Sequence, residues 1–241
     1  MKILYFDLET IIYAFTQDTS GRRKIHAEDT SIVAFGYQWE GDKKPTVIHS
    51  GQWPNKYKAN PYNDKHILAE VAKVILKADV LIAHFGSGFD KPLLRTRLDL
   101  NGFRKAAQHL QKVKLIDTCI QARLIWKIRS SSLRYLAKLL NLTHKIDNPP
   151  RLWDRVIRSD PKAIQIMAKY CSGDVTTLRE LYLRERAMMP NHPNFNFNKA
   201  SACSTCTSEN ATKWGFRFVG KTRYQRYICN DCGSDYRGGK A

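Results

Sequence analysis

The segment "ILYFDLET" (residues 3–10) constrains this chain more than any other. Ile3 to Phe6 are apolar or aromatic without a break, the pattern of a strand buried on both faces. The run then meets Asp7 and Glu9. Side chains alternate along a strand, so residues two apart share a face. They stand roughly 6–7 Å apart along the backbone, close enough to converge on one cation. Left unpaired, two like charges would push one carboxyl towards its neutral form. Taken alone, the segment also reads as a strand surfacing into a charged turn, and the remaining acids decide between the two.

Further elements follow in order. "TSIVAFGYQWEG" (30–41) and "PTVIHS" (45–50) read as second and third strands, joined by a turn at Glu40-Gly41-Asp42. The polar "TQDTSGRRKIHAEDT" before them reads as a loop. Ile67, Leu68, Val71, Ala72, Ile75 and Leu76 have the spacing of an amphipathic helix over 63–78, with Asn63 or Asp64 as its cap. "DVLIAHF" (79–85) is a buried strand, and a helix begins near Phe89. A short strand at "VKLIDT" precedes helices near 118–128 and 131–141, the latter capped by one of Ser130 to Ser132. "NPPRLWD" reads as a loop, and 160–189 as one long helix with Pro161 in its first turn. Strands first, then strands alternating with helices, imply an α/β fold with a mixed sheet flanked by helices. The Asn- and Pro-rich "PNHPNFNFNKAS" (190–201) reads as a linker. The expected organisation is a domain over 1–189, a linker over 190–200 and a small module over 201–241.

Charge narrows the class of partner. The 241 residues carry a formal net charge of +18, which favours a polyanion. Residues 1–90 are neutral, with 11 bases and 11 acids, whereas 91–158 hold 16 bases and four acids. Two-thirds of the net charge therefore sits in one central stretch, which suits a phosphate-contacting face. No apolar run approaches the length of a membrane span, and Asp7 interrupts the apolar stretch after Lys2 too early for a signal peptide. A cytoplasmic location is expected.

The other acids fall in matching places. "GSGFDKPLL" puts Asp90 at a helix start just past a strand end. "YCSGD" puts Tyr170 and Asp174 four residues apart, on one helical face. Gly173 costs about 1 kcal/mol relative to Ala inside a helix, which a close approach of another backbone, such as the first strand, would justify. Cys119 and Cys171 stand alone in apolar-periodic segments and read as core residues.

Asp7-x-Glu9, Asp90 in "HFGSGFD" and Tyr170-x3-Asp174, in that order, resemble the three motifs of the DEDD 3′–5′ exonuclease superfamily, which has a ribonuclease-H-like fold. The tyrosine four before the last aspartate is similar to the DEDDy branch, which includes proofreading domains of DNA polymerases. The resemblance spans residues 1 to about 187 and includes "IDTCIQARLIWK…SSLRYLAKLLNL" as the usual connection. It departs at Phe85, where the family commonly has an asparagine in "HNG"; positioning of the substrate is what that change touches. The long insert after Glu9 places Ile11, Ile12 and Tyr13 where the family wedges a terminal base.

The resemblance implies metal-dependent hydrolysis of phosphodiesters from 3′ ends. Hard oxygen ligands select Mg²⁺ or Mn²⁺, and two such ions about 4 Å apart activate water and stabilise the leaving oxygen. It assigns Asp7, Glu9 and Asp174 to one ion and Asp7 with Asp90 to the second. Tyr170 would orient the attacking water. Single-stranded DNA is the expected substrate. The alternatives are a ribonuclease that trims 3′ ends, a proofreading subunit for a separate polymerase, a ribonuclease-H-like endonuclease and an inactive nucleic-acid-binding adaptor.

"CSTC" (203–206) and "CNDC" (229–232) form two C-x2-C knuckles. Four thiolates from Cys203, Cys206, Cys229 and Cys232 complete a tetrahedral, closed Zn²⁺ site; neighbours in a C-x2-C pair are poorly placed for structural disulfides. The arrangement resembles the zinc ribbons of transposases and transcription proteins. Between the knuckles, "KWGFRFVGKTRYQRYI" reads as a hairpin turning near Gly220. Lys221, Arg223 and Arg226 interleave there with Tyr224 and Tyr227, which suits phosphate contact and base stacking. The alternative is a ribbon whose aromatics only fill its small core and whose face binds a protein.

Overall fold

The structure is a computed structural model that describes all residues except Asp18, Arg22, 144–148, 197–201 and Ala241. β1 (Ile3–Ile12) leads into the segment read as a loop, where β2 (Thr16–Gln17) and β3 (Arg23–Lys24) make a two-rung ladder. β4 (Thr30–Trp39) pairs antiparallel with β1, and β5 (Thr46–His49) antiparallel with β4. Two helices, α1 (Pro54–Ala59) and α2 (Lys65–Ile75), lead to β6 (Val80–Ala83), which is parallel to β1. After α3 (Asp90–Leu100) and α4 (Arg104–Lys112), β7 (Lys114–Asp117) adds parallel to β6. The mixed sheet has the order β5-β4-β1-β6-β7. The body closes with α5 (Thr118–Ile125), α6 (Leu133–Leu139), α7 (Leu152–Ile157) and α8 (Pro161–Glu185).

Alternation along β1 explains why it is central. Leu4, Phe6 and Leu8 pack with Leu68 and Val71 of α2, Leu94 of α3 and Leu110 of α4. Tyr5 faces the other way, against Val175, Leu178 and Tyr182 of α8, and Ile11 joins Met167 and Cys171. Asp7 and Glu9 belong by parity to this second face, the face α8 covers.

Local chemistry sets the helix ends. Ser132 caps α6 by accepting the Tyr135 N–H, and Asp160 caps α8 ahead of Pro161. Asp64, expected as a helix cap, makes no capping bond. Its carboxylate is buried in an ion pair with Arg97 (2.6 Å) and accepts the Ile32 N–H at 2.9 Å. A buried charge demands such a partner, and the pair ties α3 to β4. The "NPPRLWD" segment, read as a loop, runs into α7, which begins at Leu152.

The expected close approach at Gly173 is absent: a side chain there would meet nothing within 4 Å. The close approach belongs to Gly36 on β4, where an added Cβ would lie 2.7 Å from Cys171 Sγ.

The C-terminal module is a sheet of β8 (Ala211–Val219), β9 (Thr222–Cys229) and β10 (Asp235–Lys240) in the order β10-β9-β8. Within the segment read as a linker, Phe195 is buried with Tyr5 and Tyr182, and its N–H donates to the Ser204 carbonyl at 2.7 Å. That stretch is packed onto the body; the remainder, 197–201, lies outside the described residues. Among the described residues, no helix is long and apolar enough to cross a membrane.

Candidate active site and cysteine centre

The two acids of β1 face a strand that offers them room. Asp7 stands opposite Gly36 and Glu9 opposite Ala34 in the β1–β4 ladder, which is irregular immediately after Glu9. With so little side-chain volume on β4, α8 settles close to β1. Cys171 and Asp174 of α8 are buried there, and the ligand atoms of Asp7, Glu9 and Cys171 lie within 4.8 Å of one another. Burial, then the charges of Asp7, Glu9 and Asp174, push the Cys171 thiol well up and keep it protonated. Asp174 lies one helical turn from Cys171 on α8, but the close group comprises Asp7, Glu9 and Cys171, without Asp174 or Asp90.

Asp90 arrives from the next strand. It opens α3, is buried, and accepts the backbone N–H of Leu8, the residue between Asp7 and Glu9. Burial, with a smaller contribution from the charge of Asp117, pushes its pKa up to about 7. Asp117 itself was not singled out in the sequence, yet it fixes the loop that carries Asp90. It accepts the N–H groups of Phe85 and Ser87 at 2.9 Å each and caps α5 through Cys119. His84 holds the same loop from the other side through Thr118 and the Ser131 carbonyl. Asp90 thus stands beside the acids of β1, past the carboxyl end of β6, in the region where open α/β sheets place their sites.

Tyr170 is buried one helical turn before Asp174, with its ring edge-on to Trp153 of α7 at 6.1 Å. Trp153 was missed because α7 follows two prolines and is only six residues long. The donor set fits divalent cations: four carboxylates, three of them buried, supply hard oxygen ligands.

Residues 4–184 match the sequence pattern of the RNase H superfamily. The chain belongs to the RNase H superfamily. Membership implies a nucleic-acid hydrolase that works with divalent metal ions. A comparison with curated proteins finds no match.

This RNase H superfamily chain carries a second cluster in its C-terminal module. The four Sγ atoms of Cys203, Cys206, Cys229 and Cys232 lie within 4.8 Å of one another. Cys203–Cys232 and Cys206–Cys229 separations of 3.7 and 3.5 Å are far beyond a disulfide's roughly 2 Å. They suit four sulfurs each about 2.3 Å from one tetrahedral ion. The two knuckles are built alike. Thr207 donates to the Cys203 carbonyl at 2.9 Å and Gly233 to that of Cys229 at 2.8 Å. Both donors take positive φ, 64° and 78°.

The remaining candidates divide. Ile11 is in the core, so it has no surface to offer a base; Ile12 and Phe15 are the exposed apolar neighbours. Tyr13 is exposed, its ring tilted against Tyr62 at 4.7 Å, and donates its hydroxyl to the Glu28 carbonyl. In the module, Tyr227 stacks on Tyr236 inside the cysteine cluster's small core, and Arg226 is paired with Asp235. Tyr224 lies beneath the Arg237 guanidinium. Lys221 and Arg223 are exposed. Trp214, Phe216 and Phe218, which the interleaving of bases and tyrosines does not single out, are exposed on β8.

Proposed function

We propose that this chain is a 3′–5′ exonuclease that releases nucleotides from single-stranded DNA ends. The observation that carries the proposal is the shared buried face of α8. Tyr170 and Asp174 stand one turn apart on it, and between them Cys171 lies within 4.8 Å of both acids of β1.

Asp7, Glu9 and Asp174 would hold one divalent cation, Mg²⁺ or Mn²⁺, and Asp7 with Asp90 a second. When bound, such ions activate water and neutralise the charge that develops on the leaving oxygen. The chain's own residues do the rest. The Tyr170 hydroxyl orients the attacking water, and Trp153 fixes the ring that carries it. Asp117 keeps the Asp90 loop at the sheet edge through its bonds to Phe85 and Ser87. The exposed bases Arg123, Lys127 and Arg129, following β7, supply positive surface for the phosphate backbone. Zn²⁺ in the four-cysteine centre would hold the module's two knuckles together as a closed structural site.

Asp7→Asn, Glu9→Gln, Asp90→Asn and Asp174→Asn test the assignment. Each is expected to nearly abolish hydrolysis of a single-stranded oligonucleotide while the circular-dichroism spectrum stays unchanged. Wild-type turnover in any one of them removes that residue from the site.

A further inference from the structure

β8 is the outer strand of its sheet, and residues 212–221 are all exposed. Its side chains alternate cation and ring: Lys213, Trp214, then Phe216, Arg217, Phe218. Trp214 is 58% exposed, Phe216 49% and Phe218 67%. None of the three belongs to the core around the cysteines, which is filled by Tyr227, Tyr236 and Ala211. Leaving that much ring surface exposed to water is unfavourable, and exposed clusters of this kind mark binding sites.

Charge selects the occupant. Residues 211–227 contain five bases and no acid. Arg226 is paired with Asp235, whereas Lys213, Arg217, Lys221 and Arg223 make no ion pair among the described residues. Phe216 and Phe218 share a face beyond the bulge at Gly215, whose carbonyl accepts the Gln225 amide at 2.7 Å. Arg223, opposite Phe218, lays its guanidinium over the Phe216 ring at 4.7 Å. Flat rings alternating with unpaired cations suit bases and phosphates of one strand; an apolar protein face would leave the four cations without partners.

We propose that the β8–β9 hairpin is a platform for single-stranded nucleic acid. Trp214, Phe216 and Phe218 stack with bases, and Lys213, Arg217, Lys221 and Arg223 contact phosphates. The proposal rests on the reading of the chain as a nucleic-acid hydrolase and gives it a grip on the strand besides the carboxylates.

The test is fluorescence anisotropy of a 5′-labelled long oligothymidylate with the full-length protein. Asp174→Asn in the background prevents degradation of the probe, and chelators are left out so that the module stays intact. Phe216→Ala and Phe218→Ala are each expected to weaken binding by roughly 5- to 150-fold, the usual worth of one stacked base. Phe216→Leu and Phe218→Leu keep apolar bulk and are expected to weaken it comparably. Arg217→Ala and Lys221→Ala should each reduce the log–log salt slope by about 0.7, the value for one phosphate contact on a single strand. In a protein with its acids intact, the phenylalanine variants should still hydrolyse a trinucleotide at the wild-type rate. Unchanged affinity in the alanine variants overturns the platform, as does wild-type affinity in the leucine variants, which would point to a protein-docking face. The exonuclease reading fails separately: a protein that binds through these rings but shortens no strand keeps the platform and loses the catalysis.

Discussion

Gly36 stands directly across the β1–β4 ladder from Asp7, and Cys171 of α8 occupies the space its side chain would fill. An added Cβ would meet Cys171 Sγ at 2.7 Å, Val175 at 3.0 Å and the Cys171 carbonyl at 3.2 Å. Gly36→Ala therefore has to lift α8, and with it Tyr170 and Asp174, from β1. Overpacking of this kind costs about 1–3 kcal/mol. The expected outcome is a lowered Tm together with a larger loss in kcat. Cys171→Ala removes the nearest clash and is expected to recover part of both; thermal melts and turnover on one substrate read the pair.

Phe85 holds φ at 60° and is 47% exposed, on the loop that leads to Asp90. A bulky residue in the left-handed region is strained by about 1–2 kcal/mol, and asparagine tolerates that region better. Phe85→Asn should therefore raise stability by about 1 kcal/mol. If the strain is kept for the ring's contact with substrate, the same change should weaken single-strand binding. Denaturant titration and oligonucleotide affinity, measured on one preparation, check both halves.

Glu185 is fully buried near the end of α8, and neither of its carboxyl oxygens finds a partner among the described residues. Burial first, and the charge of Asp117 second, push its pKa up to about 9. An unfolded glutamate titrates near 4.3, so between the two values the folded state holds the extra proton. The associated stability is complete below the unfolded value and falls by about 1.4 kcal/mol per pH unit as pH rises towards the folded one. Glu185→Gln should flatten this decline. The Tm gain over wild type should be large near pH 8 and small near pH 4.

The four-cysteine centre yields a further outcome. Structural zinc sites supply folding free energy directly, so Cys229→Ser should abolish metal binding and melt β8 to β10. Phe195 bonds Ser204 and packs beside Tyr182, so the loss should also loosen the end of α8. Metal analysis of the purified protein and hydrogen exchange across 178–196 read the two effects.

The mixed sheet was legible because its strands and helices are strongly patterned, and the candidate acids fall on or beside those elements. Asp7 and Glu9 follow the apolar run but lie within β1, which continues to Ile12; Asp90 opens a helix, and Tyr170 and Asp174 share one helical face. What the sequence concealed were relations across the fold. Gly36 and Gly173 look alike in a chain, and only the packing of α8 shows which one admits a neighbour. Asp117 reads as an ordinary acid until its four backbone contacts are seen. Ile11 differs from Ile12 by one strand position, which puts one in the core and the other at the surface. In the hairpin, Tyr227 and Phe216 carry the same pattern signal; the strand order decides that one fills the module and the other faces solvent.

The central claim is stepwise hydrolysis from the 3′ end at the Asp7, Glu9, Asp90 and Asp174 site. Its most direct test is a time course on single-stranded DNA labelled at the 5′ end, with Mg²⁺ or Mn²⁺, beside the same strand in RNA. The account expects a ladder of labelled products that shortens one nucleotide at a time, slowed by Tyr170→Phe and absent in Asp174→Asn. Labelled products that appear at internal positions before any ladder, or immediate release of the label as a mononucleotide, would contradict it.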